Sequence, residues 1–502
     1  MDTPLYILLP LIFALYIITN HLTHKLRNLP PSPILNLPFL GHLYLLKKPL
    51  HRTLAKISSR YGPVTLLQFG SRRVLVVSSP SAAEECFTTN DVAFANRPPL
   101  LAGKHIGYNY TTLVWSSYGD HWRNLRKISS IEVLSTNRLQ MLRGIRVDEV
   151  RSMIRRLNTD SKEGRATDMR SVFSELTTNV MMRMIAGKRY YGEDVEELKQ
   201  SKRFKGIVMD TLRLGGSNIG DFLPLVNWLG VGVEKQMMEL QENRDEFMQE
   251  LVEECKTRLR GRGDGNGEKT MMEMLLELQE KEPEYYSDKL IRSLMLTLLV
   301  AGTDTSAGTM EWVLSLLLNH PHVLKKAQIE IDNHVGNERL VEESDFDELP
   351  YLRCIVNEAL RMYPAGPLLV PHESSKSCTI GGYHIPKNTM LLVNLWAIQN
   401  DPKSWEDPME FKPERFEGLK GMRDGFRLMP FGSGRRGCPG EGLAMCILGM
   451  GLGSVIQCFE WERVSKYLVD MTETLGLTMP KAKPLMAYCK SRPAVANLVS
   501  QI

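Results

Sequence analysis

The ten residues from Phe431 to Gly440 read F-G-S-G-R-R-G-C-P-G. One cysteine, Cys438, stands between glycines, and an apolar helical pattern (Leu443, Ala444, Cys446, Ile447, Leu448) follows it. Unpaired N–H groups and the positive end of the dipole at a helix start favour a thiolate over a thiol. Cys438 is therefore a candidate metal ligand, against the usual fate of a free cysteine as a small buried apolar group.

Phe431, Gly434, Arg436, Cys438 and Gly440 occupy the fixed positions of F-x-x-G-x-R-x-C-x-G. In this loop the chain resembles the cytochrome P450 haem-thiolate monooxygenases. The resemblance implies a mainly α fold with a small β region. It also implies that Cys438 is the axial thiolate of haem b iron, that the glycines let the loop pass close under the porphyrin, and that Arg436 pairs with a haem propionate.

Upstream, Ile291 to Leu318 is the longest apolar helical stretch after the N-terminus, and it carries A-G-T-D-T-S at Ala301 to Ser306. Glycine inside a helix costs about 1 kcal/mol relative to alanine, so Gly302 needs a reason. The resemblance supplies one: small Ala301 and Gly302 leave room for dioxygen, Thr305 hydrogen-bonds at the oxygen site, and Asp304 feeds protons through water as a general acid. The competing reading has Thr305 bonding back to the preceding turn and Asp304 in a surface pair.

Asp345 to Pro364 opens with acidic residues and stops before a proline, as a helix does. Glu358 and Arg361, three apart, share its face. With F-K-P-E-R-F at Phe411 to Phe416, the resemblance implies a buried network of Glu358, Arg361 and Arg415 that locks the scaffold of the cysteine loop. It further implies that Trp122 and Arg126, in W-x-x-x-R, and His372, where the family more often has arginine, serve the propionates. An ordinary surface histidine is an equal reading for His372.

The composition is that of a globular protein, 43% apolar and 24% charged. A net charge of +4 is too mild and dispersed for nucleic acid. Eight scattered cysteines without a C-x-x-C pair suit a reducing compartment.

From Thr3 to His24 there is no Lys, Arg, Asp or Glu, which reads as one transmembrane helix in a lipid bilayer. A cleaved signal peptide lacks its basic leader and small-residue site here, and a buried core helix is the other alternative. Lys25, Arg27, Lys47, Lys48 and Arg52 place the following side in the cytosol. Four prolines between Leu29 and Pro38 predict a stiff, non-helical connector. The expected organisation is an anchor over 1–24, a basic, proline-rich hinge over 25–40 and a catalytic domain over 41–502.

Val64–Gly70 and Arg73–Ser78 predict a β-hairpin, with further strand-like pieces at Cys378–Tyr383 and Thr389–Asn394. Arg258 to Glu268 predicts an exposed loop. Asn109-Tyr110-Thr111 fits a glycosylation acceptor, which a cytosolic body would not expose to the modifying enzyme.

Thiolate ligation favours O–O cleavage. No G-x-G-x-x-G loop opens a βαβ unit, so electrons must come from a partner. The resemblance names it as a membrane-bound NADPH–cytochrome P450 reductase, with cytochrome b5 as an optional second donor and O2 as co-substrate. Ser116 to Arg126, Lys188 to Gly192 and F-K-P-E-R-F resemble the plant A-type microsomal branch. That branch includes isoflavone 2'-hydroxylases, lignan-oxidising enzymes and triterpenoid oxidases, which implies a small lipophilic specialised metabolite as substrate and the endoplasmic reticulum as location. Ala301, Gly302, Val370, Leu475 and Leu477 are the expected pocket residues, on walls at 100–114, 212–221, 365–370 and 474–478. Ring coupling, methylenedioxy-bridge formation and a reductase-independent isomerase or dehydratase share the scaffold. A non-catalytic haem sensor is a further alternative.

Overall fold

The structure is a computed structural model that describes residues 3–191, 195–228, 232–261, 269–419 and 423–502. Its axis is the helix Asp288–Asn319, 32 residues and about 48 Å at 1.5 Å per residue. Ser287 caps it by accepting the Leu290 N–H, Asp288 complements the dipole in the first turn, and the helix ends at His320, just before Pro321 opens the next. Side chains from Leu290 to Leu318 are buried on nearly every face, so this is a core helix rather than an amphipathic one. It packs against Met169–Ala186 and against Glu441–Cys458, the helix that follows the cysteine loop.

The predicted hairpin forms as Val64–Phe69 and Arg72–Val77, antiparallel, with Gly70 left-handed at the turn (φ +52°). Met390–Val393 joins it in parallel, and His372–Glu373 pairs antiparallel on the far side of Met390–Val393. The Cys378–Tyr383 piece is itself a hairpin, Cys378–Ile380 with Tyr383–Ile385, turning at Gly381 and Gly382, both with positive φ. Two further strands, Phe459–Arg463 and Met486–Ser491, pair near the C-terminus.

Leu29 to Pro38 carries no helix, and it is tied to the body: Leu66 N–H donates to Pro31 O at 3.0 Å and the Tyr44 hydroxyl to Leu35 O at 2.7 Å. Residues Thr3–Leu26 form one helix whose Leu11, Ile12, Leu15, Ile18 and Leu22 are exposed. Among the described residues, the helix long and apolar enough to cross a membrane by hydropathy is Glu441–Cys458. It is 72% buried inside the protein and belongs to the core.

The loop expected over 258–268 begins later than its composition implied. The helix Glu234–Gly261 runs through Arg258, whose Nε donates to Oε1 of the buried Glu273 at 2.7 Å, and this pairing ties the last turn to the helix Met271–Lys281. Residues 262–268, like Gly192 of the motif at 188–192, lie outside the described residues.

Candidate active site

The cysteine loop is built on two left-handed glycines, Gly432 (φ +70°) and Gly434 (φ +66°). A Cβ on Gly434 would stand 2.5 Å from Asp91 Oδ1, the same oxygen that accepts the Arg435 N–H at 3.0 Å. Cys438 N–H closes the loop onto Phe431 O at 2.8 Å, and the Gly440 N–H points at Cys438 Sγ at 3.3 Å. Of the eight cysteines, all free, Cys438 is the exposed one. Burial pushes its thiol above the ordinary pKa, while the Gly440 amide and Arg126 pull the other way. A coordinating cation would deprotonate such a thiol.

Arg435 of the loop pairs with Asp91 at 3.1 Å, but other basic groups around it have no carboxylate partner among the described residues. Arg436 donates to the carbonyls of Ala95 (2.7 Å), Leu113 (3.3 Å) and Ser116 (2.6 Å), with its guanidinium over the Trp122 ring at 4.3 Å. Arg126, one turn from Trp122 on the helix Asp120–Lys127, donates to Gly437 O at 2.5 Å. The Trp122 indole N–H is committed to Leu113 O, so its contribution is the ring face under Arg436. Arg97, which no motif pointed to, is 8% exposed and donates to Val114, Val370 and Pro371 carbonyls at 2.8–3.0 Å.

His372 is buried, not a surface residue. Its Nδ1 lies 2.7 Å from Phe94 O, which fixes the proton on that nitrogen and leaves Nε2 as the free position. Burial, then Arg97, holds His372 well below its ordinary pKa; burial, then Arg126, holds Arg436 down to about 9; burial, then Arg436, lowers Arg97. Among the described residues no carboxylate compensates any of the four. Buried charge without a partner costs several kcal/mol, so the cluster fits a dianionic group that approaches Cys438, as a haem with its two propionates does.

On the central helix Ala301 is exposed and Gly302, Asp304 and Thr305 after it are partly exposed, between buried turns at Leu298–Val300 and Ser306–Ala307, which puts open space beside this turn. Gly302 answers to a different constraint from the one expected. A Cβ there would meet Met181 Sδ at 2.6 Å, so glycine lets the helix Met169–Ala186 close in, and the room lies beside Ala301. The Thr305 hydroxyl donates to Ala301 O at 2.7 Å, as helical threonines often do. Asp304 makes no surface pair: its Oδ2 accepts from the Thr478 hydroxyl at 2.9 Å, and burial raises its pKa against that bond and the Arg170 charge.

Behind the loop, Glu358 and Arg361 are wholly buried and paired twice, Nε–Oε2 2.7 Å and Nη2–Oε1 2.9 Å. Glu358 Oε1 also accepts from Arg415 Nε at 3.1 Å and Lys412 N at 3.0 Å. The three-way network expected from the motifs is present. Its route to the cysteine loop is Gln399, which none of the motifs includes: Gln399 O accepts from Arg361, and Oε1 accepts from Met429 N–H, two residues before Phe431.

The expected pocket walls differ in character. Val370 is half-buried beside Arg97. Leu475 and Leu477 are exposed at the tip of a loop, Leu477 against Gly215 and Gly216. In the first wall Tyr108, Asn109 and Tyr110 are all left-handed, and Tyr110 packs where a Cβ on Gly103 would stand.

A mainly helical fold with one open cysteine facing a cradle for a dianionic macrocycle defines a haem-thiolate protein. The comparisons agree. The family model described as Cytochrome P450 matches residues 30–487. The (+)-piperitol/(+)-sesamin synthase of Sesamum radiatum is 47% identical over 507 residues, covering 99% of this chain and 98% of that one. An isoflavone 2'-hydroxylase of Glycyrrhiza echinata is 47% identical over 495 residues, 97% of each. A zebrafish cytochrome P450 solved with progesterone superposes with a TM-score of 0.77 at 26% identity, over 88% of this chain and all of that one. The chain belongs to the cytochrome P450 family of monooxygenases, in the plant branch of those two relatives.

Proposed function

We propose that this protein inserts one oxygen atom from O2 into a small lipophilic plant metabolite, an isoflavonoid, lignan or triterpenoid, with electrons from an NADPH-dependent reductase. The observation that carries the reading is the open Cys438 ringed by Arg97, Arg126, Arg436 and His372, none with a carboxylate partner among the described residues. When bound, a thiolate-ligated haem supplies the electron push that favours O–O cleavage.

The chain's own residues have separate tasks. Cys438 would ligate the iron, with the Gly440 N–H tempering its charge. Arg97, Arg126 and Arg436 would hold the propionates. His372 would serve them through Nε2, which donates only when the ring is protonated. Asp304, whose pKa burial raises, holds its proton to higher pH than an ordinary carboxylate, and Thr305 offers a hydroxyl one residue on. Apolar walls orient the substrate by shape.

Thr3–Leu26, about 36 Å long, is read as the anchor in the endoplasmic reticulum membrane. Lys25, Arg27, Lys47 and Lys48 then mark the cytosolic side; Arg52 is engaged by Glu473 at 2.5 Å. The reductase, with cytochrome b5 as an optional donor, would meet the basic side of the site around Cys438.

The experiment is turnover in microsomes with reductase and NADPH against isoflavonoid, lignan and triterpenoid panels under labelled dioxygen. A product carrying one labelled oxygen supports the reading. The relative named as a sesamin synthase gives methylenedioxy-bridge formation a specific claim, and a product that has lost two hydrogens without gaining oxygen would select it. Turnover without reductase would replace both with isomerase or dehydratase chemistry.

A further inference from the structure

We infer that Thr478 is a positioning residue for Asp304, fixing the carboxylate that the proposed function reads as the proton-delivering acid. The inference rests on that reading of Asp304.

Contacts on both sides of the loop leave the threonine little freedom. Met479 O accepts the Trp312 indole N–H at 2.8 Å, from two turns along the helix that carries Asp304. Lys481 O accepts Arg170 Nη2 at 2.7 Å, from the helix packed alongside. Across the loop, Thr474 N–H donates to Pro480 O and Ala482 N–H to Thr472 O, both at 2.8 Å. Glu473, 4% exposed, ties the loop base to Arg52 and His51. A hydroxyl carried on so braced a backbone aims at one place, and that place is Asp304 Oδ2, 2.9 Å away.

Among the described residues this is the one hydrogen bond the Asp304 side chain makes. The charge acting on it is Arg170, which is bound to Glu311 at 2.9 Å. Arg170 is thus already committed, and Thr478 is the partner with direction. A donor on Oδ2 favours the ionised form and leaves Oδ1 as the oxygen that takes and passes on a proton. Without it, a half-buried carboxylate would hold its proton to higher pH and turn freely about χ2. The residue arises from the same loop as Leu475 and Leu477, so pocket wall and acid are set by one piece of backbone.

The test uses the full-length holoenzyme reconstituted with reductase, comparing wild type with Thr478→Val, Thr478→Ser and Asp304→Asn. The infrared band of the protonated carboxyl, assigned to Asp304 by its loss in Asp304→Asn, is titrated against pH. Thr478→Val should raise its midpoint by about one unit, a tenfold change in proton affinity, and Thr478→Ser should restore it. The share of NADPH electrons released as hydrogen peroxide should rise severalfold in Thr478→Val and return in Thr478→Ser. An unchanged midpoint in Thr478→Val overturns the inference. If that variant fails to load haem, Thr478→Ala, which adds no bulk, is read by the same rule. Should Asp304→Asn itself leave product and peroxide yields unaltered, the acid reading fails, while the infrared shift separately reports whether Thr478 holds Asp304.

Discussion

Gln399 Oε1 accepts the Met429 N–H at 3.3 Å while its Nε2 donates to Leu360 O at 2.9 Å and Arg361 O at 3.1 Å. One amide thus joins the helix Pro350–Met362, with its buried Glu358–Arg361 pair, to the strand-like entry into the cysteine loop. Gln399→Leu strands a donor and two acceptors inside the core, at roughly 1–3 kcal/mol for each group left unpaired. Glu358→Gln leaves the buried Arg361 and the partly buried Arg415 guanidinium short of charge, about 3–5 kcal/mol. Both variants should unfold at lower temperature and retain less haem. Measured by thermal denaturation and haem-to-protein ratio, wild-type behaviour in Glu358→Gln would refute the locking role.

Gly434 and Gly382 both have positive φ, yet only Gly434 is also crowded, by Asp91 and Phe87. Backbone strain costs an alanine about 1–2 kcal/mol at either site. Gly434→Ala should therefore lose clearly more stability than Gly382→Ala, and haem retention with it. Equal losses in chemical denaturation would show that Asp91 yields.

Arg97 binds three carbonyls that the fold offers to no other cation among the described residues. Arg97→Leu should retain several times less haem on dialysis against apomyoglobin, and Arg97→Lys should recover charge but not the three-carbonyl grip, falling between. Full retention in the leucine variant would remove Arg97 from the cradle.

Lys481, 1% exposed, is held by burial at a pKa of about 8 against an ordinary 10.5. Between these values the unfolded chain binds the extra proton, so stability rises with pH. Relative to Lys481→Met, the wild type should gain at most about 3 kcal/mol from pH 8 to 10.5. Parallel stability curves for the two proteins across that window would mean the ammonium is not desolvated in the folded state.

Contiguous motifs were readable because their residues act within one turn or loop. Phe431 to Gly440, Asp304-Thr305 and Glu358-Arg361 are of that kind, and the hairpin at Val64 to Val77 follows from two apolar, β-branched runs on either side of a turn. What escaped reading depends on partners distant in the chain. Arg97 gains meaning only when Val370 and Pro371 are folded against it, and Thr478 only when its loop returns to the central helix. Gly302 looked like room for a ligand because its neighbour Met181 comes from another helix. Arg258 to Gly261 looked like a loop from its composition, yet it is helical, with Arg258 tied to Glu273 of the helix Met271–Lys281.

The central claim is that Cys438 ligates haem iron, and the carbon monoxide difference spectrum of the dithionite-reduced protein tests it most directly. Wild type in membranes should show the red-shifted Soret band of a thiolate ligand, and Cys438→Ser should lose it. A wild type without haem, or the same band in both proteins, would contradict the assignment and the monooxygenase chemistry built on it.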